Sequence, residues 1–224
     1  MAIRAAALVA RISATLVNTL SPVQKSLLIA LILVPAAYFG AQILAAPYFP
    51  NYSVLTTSAS DLGSDRSSRP GILNCGALLT GVLALLGSIG LAASLPRVGV
   101  NRLAAFLLAI CVASSGLASL WAGWHPLPSP LHNPGALGAG MFVSPFAAVW
   151  AAWRLHPARM LRAVLLANAA TFVALAAVMS GVVHVDLSRY GGLIQKMLAF
   201  TSFVPSAVVA AAAIRRSKRQ SSAA

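Results

Sequence analysis

The chain has 224 residues, of which 59% are hydrophobic and only 8% are charged. Soluble domains carry about 25% charged residues, so this composition excludes an ordinary soluble protein. The formal net charge of +13 does not indicate nucleic-acid binding, because the basic residues occur in short clusters between apolar runs. That pattern is typical of loops beside anionic lipid in a membrane protein.

Long runs of Leu, Ala and Val without alternation predict helices rather than strands. Backbone groups in hydrocarbon must be paired within the protein, which also favours helices. We therefore expect an all-α integral membrane protein, a bundle of six helices with short loops. Its predicted parts are a basic amphipathic N-terminal segment at 1–25, a six-helix domain at 26–214 and a basic cytoplasmic tail at 215–224.

The N-terminal segment contains Arg4, Arg11, Asn18 and Lys25 at intervals of seven residues. This spacing places the polar side chains on one face of a helix, which is typical of a helix that lies in the membrane interface. The alternative is a basic leader that only sets the orientation of the chain. Both interpretations remain open at this stage.

The six spans are separated by proline, glycine or clustered basic residues. Pro35 lies inside the first span and predicts a kink there. The predicted spans are 26–46, 70–95, 103–121, 134–153, 160–183 and 192–214.

The orientation follows from the distribution of Lys and Arg. Twelve of these residues lie on the side of the two termini and four on the other side. The positive-inside rule then predicts that both termini are cytoplasmic. We expect the protein to be a multi-pass component of the plasma membrane. All three aspartates and three of the four histidines lie in the loops on the non-cytoplasmic side.

These non-cytoplasmic loops carry the residues that are best suited to metal binding or catalysis. Because loops at one end of a bundle lie close together, we expect them to form a polar cap. The candidate cluster is Ser60, Asp61, His125, His132, Asn133, His184, Asp186 and Lys196.

Three interpretations of this cluster remain open. Histidine and carboxylate ligands can hold zinc and activate water, and Ser60 with a histidine can act as nucleophile and base. Polar residues also collect at the ends of spans because water is there, and Asp61 can simply cap a turn. No two histidines have the close helical spacing of a strong zinc motif.

Lys196 lies about one turn inside the sixth predicted span. A lysine at this depth either extends its ammonium group toward the headgroups or pairs with an acid. Asp61 and Asp186 are the available acidic partners. A pair with Asp61 would connect the first non-cytoplasmic loop to the last helix.

Three short motifs resemble one known family. They are Tyr52-Ser53 followed by Ser-Ala-Ser-Asp-Leu-Gly at 58–63, His-Asn-Pro-Gly-Ala at 132–136, and Gly-Leu-Ile-Gln-Lys at 192–196. The pattern is similar to a prokaryotic family of six-span membrane proteins catalogued as domain of unknown function nine-nine-eight. The resemblance covers roughly 26–214 and implies six helices and no known activity. Gln195 stands where many members are expected to have an acidic residue.

A looser similarity is to membrane hydrolases of the alkaline-ceramidase type, which use Ser, Asp and three His around zinc. The chain has these residue types but lacks the paired histidines on its last helix. The leading hypothesis is therefore a membrane protein of unassigned role, structural or small-ligand-binding, with a polar cap on the non-cytoplasmic face. The alternative is a metal-assisted hydrolase acting on lipid or a small amide, with zinc as its cofactor. The lipid bilayer is the only partner that the sequence indicates.

Overall fold

A computed structural model describes residues 19–155 and 159–222. Within these ranges all regular structure is helical, and six helices are long and apolar enough to cross a membrane. The predicted all-α six-helix membrane bundle is therefore confirmed. The proposed interfacial helix falls mostly on residues 1–18, which lie outside the described residues.

Seven α-helices follow one another along the described chain. The second is a single turn in the first long loop, and the other six are the candidate membrane spans. The helices are α1 (Pro22–Ala45), α2 (Ala59–Leu62), α3 (Gly71–Ser94), α4 (Arg102–Trp124), α5 (Gly140–Trp153), α6 (Arg159–Met179) and α7 (Leu187–Ser222). Short 3-10 turns extend from Ala46–Tyr48, Pro96–Val98 and Gly135–Gly138.

Polar side chains cap the first turns of two spans. Ser21 and Gln24 form a reciprocal capping box, in which each side chain accepts a hydrogen bond from the other residue's backbone N–H. At the start of α4, the side-chain oxygen of Asn101 accepts hydrogen bonds from the backbone N–H groups of Leu103 and Ala104. Such caps pair the N–H groups that a helix start leaves free. The first span consequently begins at Pro22, four residues before its predicted start.

Glycine allows the helices in the centre of the bundle to approach closely. A Cβ atom added to Gly81 in α3 would lie 2.7 Å from the carbonyl oxygen of Gly116 in α4. A Cβ at Gly87 would lie 2.5 Å from the Cβ of Leu31 in α1. Small residues at such contacts are the usual means of packing helices in lipid, where no hydrophobic effect drives them together. Helix α7 completes this core by packing against α1 and α5.

The last helix differs from its prediction. We expected a span at 192–214 and then a tail, but α7 runs without interruption from Leu187 to Ser222. The prediction that the helix ends at residue 214 is wrong because the basic residues that follow contain no glycine or proline. Arginine and lysine are good helix formers, so the helix continues beyond its apolar part.

The extension of α7 belongs to the packed bundle. Ser217 is buried, and its hydroxyl oxygen accepts a 2.9 Å hydrogen bond from the backbone N–H of Leu20. This bond connects the end of α7 to the chain just before α1.

We expect Ser217→Ala to destabilise the protein by about 1–3 kcal/mol, since the buried N–H of Leu20 loses its acceptor. Thermal unfolding in detergent measures the effect. Ser221→Ala is the matched control, because Ser221 is exposed and bonds only to the nearby carbonyl of Lys218. Equal melting temperatures for the two variants would contradict a structural role for this contact.

Candidate functional site

Three loops lie at one end of the bundle, and we call this end the capped end. The first loop is 46–70, after α1; the second is 125–139, after α4; the third is 180–186, after α6. The candidate residues named above lie in these loops or in the first turns of α7.

Helix α2 fixes the position of Ser60. The hydroxyl of Ser58 accepts a bond from the Asp61 N–H, while the Asp61 carboxylate accepts bonds from both the N–H and the hydroxyl of Ser58. This reciprocal cap closes the turn, as the simplest interpretation of Asp61 predicted. Ser60 is thus held in a short, well-defined turn of the first loop.

Ser60 and His132 connect the first and second loops. The Ser60 hydroxyl oxygen lies 2.8 Å from Nε2 of His132, and Nδ1 of His132 lies 2.8 Å from the carbonyl oxygen of His125. A carbonyl oxygen only accepts hydrogen bonds, so Nδ1 carries a proton. In the neutral ring Nε2 is then an acceptor, and the Ser60 hydroxyl donates to it.

The second loop is held in place by contacts with Trp121 in α4. The indole Nε1 of Trp121 donates a 2.5 Å hydrogen bond to the carbonyl of Leu131, which immediately precedes His132. The His125 ring lies against the Trp121 ring, with a distance of 4.6 Å between their centroids. The first contact fixes the backbone next to His132, and the second fixes His125, whose carbonyl accepts the bond from the His132 ring.

Among the described residues, Lys196 bonds to backbone carbonyls and forms no ion pair with Asp61 or Asp186. Its ammonium group donates hydrogen bonds to the backbone carbonyls of Val54, Thr57 and Gly192, at 3.4 Å for Val54 and 3.2 Å for Gly192. The Nζ atom also lies 6.0 Å from the centroid of the Tyr52 ring, a cation–π contact. Lys196 therefore connects α7 to the backbone of the first loop.

Two further contacts join α7 to the first loop. The side-chain oxygen of Gln195 accepts a 2.8 Å bond from the N–H of Ala59, and the N–H of Leu193 donates a 3.0 Å bond to the carbonyl of Leu55. We did not single out Gln195 as a site residue. Its amide oxygen accepts the bond from Ala59, so that this position joins α7 to the first loop without the acidic side chain that we expected here.

Three of the candidate residues have local roles. Asn133 accepts a bond from the N–H of Gly135, His184 is exposed, and Asp186 caps the start of α7 through Ser188. The hydrogen bond from the Ser188 hydroxyl holds the pKa of Asp186 below its usual value. Within the described chain, no hydrogen bond joins these three side chains to Ser60 or Lys196.

Beside this network, the first loop forms an open groove of about 430 Å³. We call it the Arg66 groove. Its lining residues are Pro47, Tyr48, Phe49, Pro50, Asp65, Arg66, Ser67 and Ser68.

The zinc interpretation requires a set of converging donors. Among residues 19–155 and 159–222, no group of three or more His, Cys, Asp or Glu side chains is placed to hold a metal ion. Both ring nitrogens of His132 are already engaged, and the carboxylate of Asp61 serves the cap of α2. The donors at the capped end do not match a zinc site in this arrangement.

Comparison with known proteins gives one result. Searches of curated proteins and of solved structures found no match. A family model described as "Protein of unknown function (DUF998)" matches residues 31–214. The match begins in α1, ends in α7 and includes all three motifs of the capped end. The chain therefore belongs to the DUF998 family.

Proposed function

We propose that this protein binds the polar headgroup of a zwitterionic lipid in the Arg66 groove, at the non-cytoplasmic face of the plasma membrane. The excess of Lys and Arg on the side of the termini supports this orientation. The observation that carries the proposal is that one open groove is lined by both a cationic side chain, Arg66, and an anionic one, Asp65.

The groove offers both charges of such a headgroup. Arg66 stacks on Phe49, with 5.0 Å between the guanidinium carbon and the ring centroid, and Asp65 is an exposed carboxylate in the same groove. A guanidinium binds phosphate oxygens through paired hydrogen bonds. A carboxylate beside it favours an ammonium group. This combination fits phosphoethanolamine better than a purely anionic headgroup.

Arg66 is available for this contact. Its nearest carboxylate oxygen is that of Asp61 at 3.9 Å, which is at the outer limit of an ion pair, and 65% of the Arg66 side chain is exposed. Exposed pairs of this kind contribute about 0–1 kcal/mol. A phosphate can therefore replace this contact at little energetic cost.

The wall of the groove is fixed by backbone contacts. The carbonyl of Tyr48 accepts hydrogen bonds from the hydroxyls of Ser67 and Ser68 and from the N–H of Ser68. Arg69 stacks on the Tyr48 ring at 4.9 Å and adds a second cation near the groove. Because the groove follows the end of α1 directly, it lies at the depth of the headgroups if α1 spans the bilayer.

We expect Arg66→Gln to weaken binding of phosphatidylethanolamine about tenfold or more. The loss of hydrogen bonds to a charged group costs about 1.5–3 kcal/mol, and 1.4 kcal/mol corresponds to a factor of ten. Native mass spectrometry of the protein titrated with this lipid measures the bound fraction. Asp65→Asn should weaken binding of phosphatidylethanolamine without weakening binding of phosphatidylglycerol, because only the ammonium group loses its partner.

Arg189→Gln is the matched control. Arg189 belongs to the same end of the protein and stacks on Tyr190 at 5.4 Å, but it is not part of the groove. Lipid binding that falls equally in the Arg66 and Arg189 variants would show a general charge effect and would refute a specific site.

A further inference from the structure

We propose that Ser60 is a nucleophile and that His132 is its general base, in a site that cleaves acyl esters at the capped end. This activity is separate from headgroup binding, because neither residue lines the Arg66 groove. Its basis is the chain of two 2.8 Å hydrogen bonds from Ser60 through His132 to the carbonyl of His125.

The chain of bonds sets the direction of proton transfer. The His125 carbonyl holds the proton on Nδ1 and leaves the lone pair of Nε2 directed at the Ser60 hydroxyl. This is the relation between nucleophile, base and orienting group that activates serine in hydrolases of unrelated folds. Here a backbone carbonyl occupies the place of the orienting carboxylate.

Ser60 and His132 are each held in place by separate contacts. The cap of α2 by Ser58 and Asp61 fixes the turn that carries Ser60, and Gln195 bonds the same turn to α7. Trp121 fixes the carbonyl that immediately precedes His132. A site held in this way maintains its geometry without rearrangement when a substrate arrives.

The site is also accessible to a substrate from the membrane interface. Ser60 and His132 are both half-buried, so neither is sealed from small molecules. Leu131, directly before His132, is 53% exposed, and Trp124 is 72% exposed. The exposed apolar side chain of Leu131, next to His132 in the chain, suits the acyl chain of an ester whose carbonyl lies at the interface.

The reaction balances with water as the second reactant. Ser60 Oγ bonds to the ester carbonyl carbon while its proton moves to Nε2 of His132. The bond from carbon to the alcohol oxygen then breaks, and the alcohol leaves with that proton. Water adds to the acyl-serine and gives a proton to Nε2. The acid is released as Ser60 recovers its proton, so that ester and water yield acid and alcohol.

A fluorophosphonate probe tests the nucleophile in the full-length protein purified in detergent. We expect the probe to form an adduct on Ser60, located by mass spectrometry of its peptides. Removal of a general base lowers rates about 10²–10⁴-fold, so His132→Gln should slow labelling about a hundredfold or more. Ser180→Ala should label normally at Ser60, because Ser180 is exposed in the third loop and its hydroxyl donates to the nearby carbonyl of Ala177.

A second measurement leaves His132 intact and does not depend on the fluorophosphonate. We expect Ser60→Cys to react with iodoacetamide at least tenfold faster than Ser68→Cys, since a neighbouring histidine favours the thiolate. The two positions share one loop, and gel filtration checks that both variants are folded. Absence of a Ser60 adduct in the wild-type protein, or equal alkylation of the two cysteine variants, overturns the proposal.

Discussion

Gly192→Val is expected to lower the melting temperature of the purified protein by about 10 °C. A Cβ atom at Gly192 would lie 2.5 Å from the carbonyl oxygen of Thr57 and 2.7 Å from the carbonyl carbon of Thr56. Both are backbone atoms, which cannot rotate away as the end of a side chain can. The first loop would therefore have to separate from α7.

The size of this effect follows from typical costs. Overpacking costs about 1–3 kcal/mol, and separation of the loop would also break the bonds made by Leu193 and Gln195. For a protein of this size, each kcal/mol shifts the melting temperature by about 2–4 °C. Thermal unfolding followed by tryptophan fluorescence measures the shift.

The neighbouring glycine provides the control. A Cβ atom at Gly191 would have only the Cβ of Leu187, at 4.0 Å, in its vicinity. Gly191→Val should therefore change the melting temperature little. If the two variants melt at the same temperature, the close approach at Gly192 does not contribute to stability.

Lys196→Met is expected to release the first loop from α7. The substitution keeps an unbranched side chain but removes the ammonium group from the carbonyls of Val54 and Thr57. Hydrogen bonds to a charged group contribute about 1.5–3 kcal/mol. The open state of the loop should accordingly become about 10- to 100-fold more populated.

Limited proteolysis measures this opening. Chymotrypsin cleavage after Tyr52 should accelerate about tenfold or more in Lys196→Met. Lys218→Met serves as the control, because Lys218 is exposed in the last turns of α7 and lies far along the helix from the loop. An unchanged cleavage rate in Lys196→Met would show that the ammonium group does not retain the loop.

The six spans could be predicted because hydrocarbon imposes a simple requirement on a sequence. Each span needs about 20 apolar residues and paired backbone groups, and both appear directly in the composition of a segment. The helix ends are less predictable. Capping by Ser21 and the continuation of α7 to Ser222 depend on local hydrogen bonds and helix propensity, which hydropathy does not report.

The candidate site was predictable only as a set of residues at one end. An even number of spans between two loops places them on the same side, so Ser60 and His132 were expected near each other. Their direct hydrogen bond depends on how two irregular loops are folded. The partners of Lys196 were missed for the same reason, since the sequence does not show where backbone carbonyls point.

Helix α7 contains 36 residues and is about 54 Å long at 1.5 Å per residue. A bilayer with its headgroups is about 40–45 Å thick. One continuous helix is thus long enough to cross from face to face, and it contacts the chain on both sides of α1: Ser217 bonds to Leu20, two residues before α1, and Lys196 bonds to the loop after it. Sliding of the first span along the last would break contacts at both ends of α1, so we expect these two helices to tilt and shift together.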